Sequence, residues 1–280
     1  MNKVVVVGAG TMGNGIAQVF ASHGATVRMV DRSADALQRG LDAMKGSLAR
    51  VVKKGGLSPE QAAEVIGRVV LTSDLSNIGD PDLVVEAVSE QPALKFALFE
   101  SFEAACPPRT ILASNTSSIS ITEIASHTRR PDRVIGMHFM NPVPVMKLVE
   151  IVRGQATSDD TTAAVMEISR TLGKTPVVVN DYPGFVANRI LMPMINEAVF
   201  CLMENVASAE SIDTVMKLGM AHPMGPLALA DLIGLDTCLS IMEVLHRGLG
   251  DDKYRPCPLL RRMVAAGQLG KKTGKGFYSY

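Results

Sequence analysis

Gly8-Ala9-Gly10-Thr11-Met12-Gly13, with Asp31 eighteen residues further on, are the residues whose types and spacing point most directly to chemistry. Gly8 permits a tight turn, Gly10 lets a backbone approach a pyrophosphate, and Gly13 lets a helix pack closely on a strand. Thr11 and Met12 complete the turn. A buried run, Val4 to Val7, precedes it and a helical stretch follows. The N–H groups and positive dipole end of that helix then face the phosphates of a dinucleotide. Asp31 ends the next strand-like run, where a carboxylate accepts hydrogen bonds from adenosine ribose hydroxyls. A 2′-phosphate there meets like charge, so NAD is favoured over NADP. Arg32 and Ser33 soften that preference, because a neighbouring cation accommodates the extra phosphate. The bland alternative is a glycine turn that binds nothing.

His138 ends an apolar strand, Val134 to Phe139, just before Asn141-Pro142-Val143-Pro144. Ligands of open α/β sheets bind beyond the carboxyl ends of strands, which is where this histidine lies. Glu150 sits inside the next apolar run, where a carboxylate is expensive unless paired and hydrogen-bonded. His138 is one partner for it, joined by a short Pro-rich loop. The acid then holds one ring tautomer while the other nitrogen exchanges a proton. A structural histidine or a differently paired glutamate fits the same residues. Ser117 lies in the polar cluster Ala113 to Ser118 past another strand end; it either does chemistry or caps a helix from Ile119. Asn188 shares a helical face with Phe185, Met192 and Ile195, so its amide needs buried partners or a ligand. His23, His127, His222 and His246 have no comparable setting and read as structural or surface.

Positioning these groups falls to alternating elements. Strands are expected at Val4–Val7, Thr26–Val30, Val69–Thr72, Leu83–Val88, Thr110–Ser114, Arg133–Phe139, Lys147–Val152 and Pro176–Val179. Helices are expected at Met12–Ser22, Pro92–Ala105 and Asp159–Leu172. This alternation predicts an α/β fold, a Rossmann-type doubly wound sheet. A helical hairpin insertion interrupts it at 34–68. Its first helix, Ala34–Lys54, breaks at Gly55-Gly56. Its second opens at Ser58-Pro59-Glu60-Gln61 with the spacing of a capping box. The two helices should project from the sheet. Arg39, Lys45, Arg50, Lys53 and Lys54 face only Asp42 there, which reads as a solvated basic face or an anion-binding one.

Beyond Asp181-Tyr182-Pro183-Gly184 the chain becomes helical: Phe185–Glu204, Ala209–Leu218, Leu227–Leu249 and Leu259–Ala266. The expected division is 1–181 for the nucleotide-binding domain and 182–280 for an all-α C-terminal domain serving substrate and dimerisation. The second part is small and apolar enough that another subunit should cover part of its surface.

Composition narrows the classes. The 280 residues suit two domains, and 28 basic residues balance 28 acidic ones, so nothing global argues for nucleic acid or a membrane surface. With 47% hydrophobic and 4% aromatic residues the core should be aliphatic, and the 16 methionines read as filler of it. Cys106, Cys201, Cys238 and Cys257 form no CxxC, which fits a reduced compartment and no metal site. No targeting segment or long apolar run is evident, so the expected location is cytoplasmic.

The chain resembles the L-3-hydroxyacyl-CoA dehydrogenases, in particular their bacterial short-chain 3-hydroxybutyryl-CoA branch, from Lys3 to Tyr280. The resemblance is carried by Gly8 to Gly13, Ser114 to Ser118, His138-Phe139-Met140-Asn141-Pro142, Asp181 to Arg189, His222-Pro223-Met224-Gly225-Pro226 and Gly274-Lys275-Gly276-Phe277-Tyr278. It implies that His138 is the general base and Glu150 its orienting partner. It further implies that Ser117 and Asn188 hydrogen-bond the substrate C3 oxygen, and that Glu90, Lys95 and Asn115 line the nicotinamide end of an NAD site. An acyl-CoA thioester substrate and a homodimer through the helical domain are implied as well, with Lys53 and Lys54 as candidate seats for coenzyme A phosphates. Met140 stands where Phe is usual, and Ala221 where Asn is common. Two other readings remain: a β-hydroxyacid dehydrogenase acting on a non-CoA substrate, and a non-catalytic NAD-binding protein. The former class uses a lysine on the first helix of its second domain, where this chain has Asn188 and Arg189.

Overall fold

Four consecutive valines at Val4–Val7, each at most 4% exposed, need cover on both faces of their strand. The computed structural model describes residues 2–280 and provides that cover with an eight-stranded sheet layered by helices. The strands are β1 (Lys3–Val7), β2 (Thr26–Val30), β3 (Val69–Thr72), β4 (Leu83–Glu86), β5 (Ile111–Ser114), β6 (Val134–Phe139), β7 (Leu148–Arg153) and β8 (Thr175–Asn180). Their order is β3-β2-β1-β4-β5-β6-β7-β8. The first six run parallel, while β7 pairs antiparallel with β6 and parallel with β8. The chain reverses its direction of travel across the sheet at β1, so a crevice opens beyond the strand ends between β1 and β4.

The helices of this part are α1 (Thr11–Ser22), α2 (Ala34–Lys53), α3 (Pro59–Gly67), α4 (Pro92–Ala105), α5 (Ile121–Ser126) and α6 (Asp159–Thr171). On one face α1, α2 and α6 pack over Val4, Val6, Met29, Val85, Ile135 and Ile151. The alternate strand residues, such as Val5, Leu112 and Val152, are buried too, as are Phe99 and Phe102 of α4 and Ile121 and Ile124 of α5. Ser33 caps α2, and Ser58 with Gln61 closes a capping box on α3 behind Pro59. The hairpin does not project along its whole length. Leu37, Met44 and Leu48 join the core, whereas no residue from 49 to 64 is buried, so only the tip stands clear.

Several local expectations differ. β4 stops at Glu86 because the Glu86 carboxylate takes the Val88 N–H at 2.7 Å, turning the chain. No helix starts at Ile119: α5 begins at Ile121 under a Ser120 cap, and Thr116 Oγ1 accepts the Ile119 N–H instead. The single helix expected over Leu227–Leu249 is two, broken at Gly234, whose φ of 104° is a conformation other residues adopt only with strain.

Contacts divide the chain into a unit ending at Asp181 and a unit spanning Tyr182–Tyr280. The second contains α7 (Ala187–Met203), α8 (Ala209–Gly219), α9 (Pro226–Ile233), α10 (Leu235–Leu249) and α11 (Pro258–Ala265). Met192, Ile195, Val199, Leu227, Leu235, Leu245 and Leu260 form its core. Phe185 precedes α7 rather than joining it, at φ 49°. The closing segment is pinned by buried Asp231, which accepts the Phe277 and Tyr278 N–H groups and the Tyr280 hydroxyl. Ala221 sits at φ 56°, a left-handed position that suits Asn better than Ala. The backbone itself therefore accounts for the Asn common there in the resembling family.

Candidate active site

Gly8 leaves β1 at φ 106°, and a Cβ on it would lie 2.5 Å from the Ala87 carbonyl oxygen. A Cβ on Gly13 would lie 1.7 Å from the Gly8 carbonyl oxygen, so α1 can sit this close only with glycine there. Gly10 meets nothing within 4 Å; it opens onto free space. No side chain caps the N-terminus of α1, and its first turn carries no acid, so its amides and dipole suit an anion. Asp31 is pinned beside this turn, Oδ2 accepting Ala9 N–H at 2.9 Å and Oδ1 accepting Ser33 N–H at 3.0 Å. A cavity of about 520 Å³ lies there, lined by Gly8, Gly10, Asp31, Arg32, Arg39 and Val88 among others. The residues present fit the pyrophosphate and adenosine ribose of a dinucleotide.

From Asp31 the strand order runs β2, β1, β4, β5, β6, so four steps of about 4.8 Å separate it from the strand of His138. A dinucleotide laid along the strand ends reaches the residues of β4 and β5 next. There Lys95, from α4, is 1% exposed and bonds Glu86 at 2.6 Å and Glu90 at 3.2 Å. Glu86, fully buried, also accepts the Ser114 hydroxyl at 2.6 Å. Glu90 gathers the Thr116 hydroxyl, the Ser117 N–H at 2.8 Å and the Ser118 N–H at 3.1 Å, fixing the loop that carries Ser117. Burial alone would raise the Glu90 carboxyl, but the Lys95 ammonium and the Thr116 and Ser117 donors hold it below the ordinary carboxylate value. Asn115 ties the strands together, its N–H on the Glu86 carbonyl at 2.8 Å and its Oδ1 accepting Phe139 N–H at 2.9 Å.

The reversal at β7 brings the acid back to the edge where β6 ends. His138 and Glu150 are direct cross-strand partners, and His138 Nδ1 lies 2.7 Å from Glu150 Oε2, both groups buried. With Nδ1 donating to the carboxylate, Nε2 is the nitrogen that can exchange a proton with a substrate. The loop joining the two strands is held by Lys174, whose ammonium donates to the Val143 and Met146 carbonyls. Burial lowers its pKa from the ordinary lysine value.

The first unit thus assembles Gly8, Gly10, Thr11, Met12, Gly13, Asp31, Glu90, Lys95, Asn115, Ser117, His138 and Glu150 along the carboxyl edge of one sheet. Lys53 and Lys54 lie at the exposed hairpin tip. Asn188 belongs to the second unit, in the first turn of α7 on the stripe of Met192 and Ile195. Glu86 escaped the sequence reading, although its signal is the one that singled out Glu150: a carboxylate within an apolar run. Lys174 carries no such signal, since an isolated lysine before a strand is ordinarily solvated.

The profile of the 3-hydroxyacyl-CoA dehydrogenase NAD-binding domain matches residues 3–182, and that of the same family's C-terminal domain matches 184–280. A probable 3-hydroxybutyryl-CoA dehydrogenase of Bacillus subtilis is 59% identical over 280 residues, covering 100% of this chain and 98% of that one. A 3-hydroxybutyryl-CoA dehydrogenase of Bradyrhizobium diazoefficiens is 53% identical, covering 100% and 96%. The crystal structure of (S)-3-hydroxybutyryl-CoA dehydrogenase from Ralstonia eutropha superposes with a TM-score of 0.97 at 52% identity, covering 100% and 99%. With both halves of the fold matched in this way, the chain belongs to the 3-hydroxyacyl-CoA dehydrogenase family.

Proposed function

We propose that this protein interconverts (S)-3-hydroxyacyl-CoA and 3-oxoacyl-CoA with NAD, and that 3-hydroxybutyryl-CoA and acetoacetyl-CoA are its substrate pair. The observation that carries the reading is the buried His138–Glu150 pair, on the same sheet edge as an uncapped glycine turn and Asp31. In oxidation His138 Nε2 takes the C3 hydroxyl proton as the C3–H bond breaks and the C3–O double bond forms. In reduction it returns that proton. The nicotinamide, when bound, accepts or supplies the hydride. Glu150 keeps Nδ1–H oriented and balances the charge the ring acquires. A positioned base of this kind contributes roughly 10²- to 10⁴-fold.

Ser117 and Asn188 are assigned the hydrogen bonds to the C3 oxygen by the family resemblance. Asp31 supports NAD over NADP, because its carboxylate repels a 2′-phosphate; Arg32 and Arg39 nearby leave NADP a weaker second choice. Lys53 and Lys54 are the proposed seats for coenzyme A phosphates on the hairpin tip. A homodimer through the helical unit fits the exposed Ile190, Val215, Leu218 and Met220 side chains. A cytoplasmic location fits four unpaired cysteines.

The test follows NADH absorbance with 3-oxoacyl-CoA substrates from C4 to C16. Acetoacetyl-CoA should be turned over, and His138→Gln should lose at least about 10²-fold in kcat while NADH binding persists. Near-normal turnover in that variant removes His138 from the mechanism.

A further inference from the structure

Among the charged groups of the first unit, Glu86 is given no task by the proposed mechanism. All three of its partners donate: the Val88 N–H and the Lys95 ammonium to Oε1, the Ser114 hydroxyl to Oε2. That is the pattern of a carboxylate. Lys95 bridges it to Glu90, so two carboxylates share one ammonium and the cluster keeps one net negative charge. Such burial is costly, and apolar side chains of the same volume would hold the loop at less expense.

The position of this excess charge suggests its use. The cluster spans the carboxyl ends of β4 and β5, between the glycine turn after β1 and His138 on β6. A dinucleotide whose adenosine lies at Asp31 brings its nicotinamide to this stretch of the edge. The nicotinamide ring is the part of the cofactor whose charge changes in the reaction, cationic when oxidised and neutral when reduced.

We propose that Glu86, with Lys95 and Glu90, forms a charge-setting cluster that selects the oxidised dinucleotide over the reduced one. Glu86 is a positioning residue that acts through Lys95 and Glu90, and the inference rests on the dinucleotide reading above. Glu86→Gln removes the excess charge and keeps the shape. The amide oxygen can take the two bonds at Oε1, and the amide nitrogen can donate to the Ser114 hydroxyl, which can accept as well as donate.

The experiment measures Kd for NAD⁺ and for NADH separately, by calorimetry on the intact protein, for the unsubstituted chain, Glu86→Gln and Glu90→Gln. At an effective dielectric of about 20, one elementary charge acting over a separation on the order of 10 Å is worth about tenfold in the ratio Kd(NAD⁺)/Kd(NADH). That ratio should rise by about this factor in both variants. A purely architectural role for Glu86 weakens both forms alike and leaves the ratio unchanged; an unchanged ratio in folded Glu86→Gln overturns the proposal. If that variant does not fold, Glu90→Gln decides the matter on a partly exposed residue, by the same criterion. If the unsubstituted chain binds neither form, the dinucleotide reading itself fails, which is a different result from an unmoved ratio.

Discussion

His138 and Glu150 illustrate how little separates a structural pair from a working one. Two buried side chains at 2.7 Å satisfy each other, and that contact offsets the cost of holding a carboxylate in an apolar strand; the proposed mechanism asks in addition that the outer ring nitrogen carry a proton. Glu150→Gln keeps an acceptor opposite Nδ1 and removes the charge. We expect kcat for acetoacetyl-CoA reduction to fall roughly 10²-fold with NADH affinity unchanged. A kcat within twofold of the unsubstituted protein, about 0.4 kcal/mol in barrier, would mean that the pair is only architectural. Sequence had left the two readings of His138 level, because pairing across strands depends on register. Glu86 was legible by the same reasoning as Glu150 but is the last residue of its strand, where an acid ordinarily reaches water.

At the scale of elements, the strand–turn–helix unit at the start of the chain sorts its glycines by role. Gly13→Ala pushes a methyl into the Gly8 carbonyl and should cost about 1–3 kcal/mol, seen as a lower Tm. Gly10→Ala meets no protein atom, so Tm should stay put while dinucleotide affinity drops, because the methyl enters the space proposed for pyrophosphate. Equal Tm for the two variants would contradict this division. In the turn between α8 and α9, Ala221→Asn should stabilise by about 0.5–1 kcal/mol, since Asn tolerates the left-handed conformation. Thermal melts would show it, and no rise in Tm would mean that the left-handed backbone does not account for the Asn common there. The helix cap at Ser58, with Gln61 three residues on, was readable from local spacing. The break at Gly234 was less so, because glycine inside a helical pattern is often merely tolerated.

For the molecule as a whole, the four thiols report on burial. Cys106 and Cys238 are buried, and desolvation pushes their pKa values to about 11 and about 12. Cys257 is buried and shifted upward too, while Cys201 is partly exposed. Aromatic-disulfide labelling near pH 8 should therefore modify Cys201 first in the native protein and all four only after denaturation. Rapid native labelling of Cys238 would contradict the packing of α9 against α10. Periodicity and composition were enough to establish alternating strands and helices, the glycine turn, the acid at the end of β2 and the helical second half. Those features are local, set by side-chain spacing of two or 3.6 residues and by turn chemistry. The tertiary structure alone decided that β7 runs back against β6, that this places Glu150 on Nδ1 of His138, and that Lys95 is shared by Glu86 and Glu90. The His138–Glu150 pairing spans 12 positions and depends on strand direction and register, and the sharing of Lys95 depends on how the turn after β4 folds α4 back over the strand end.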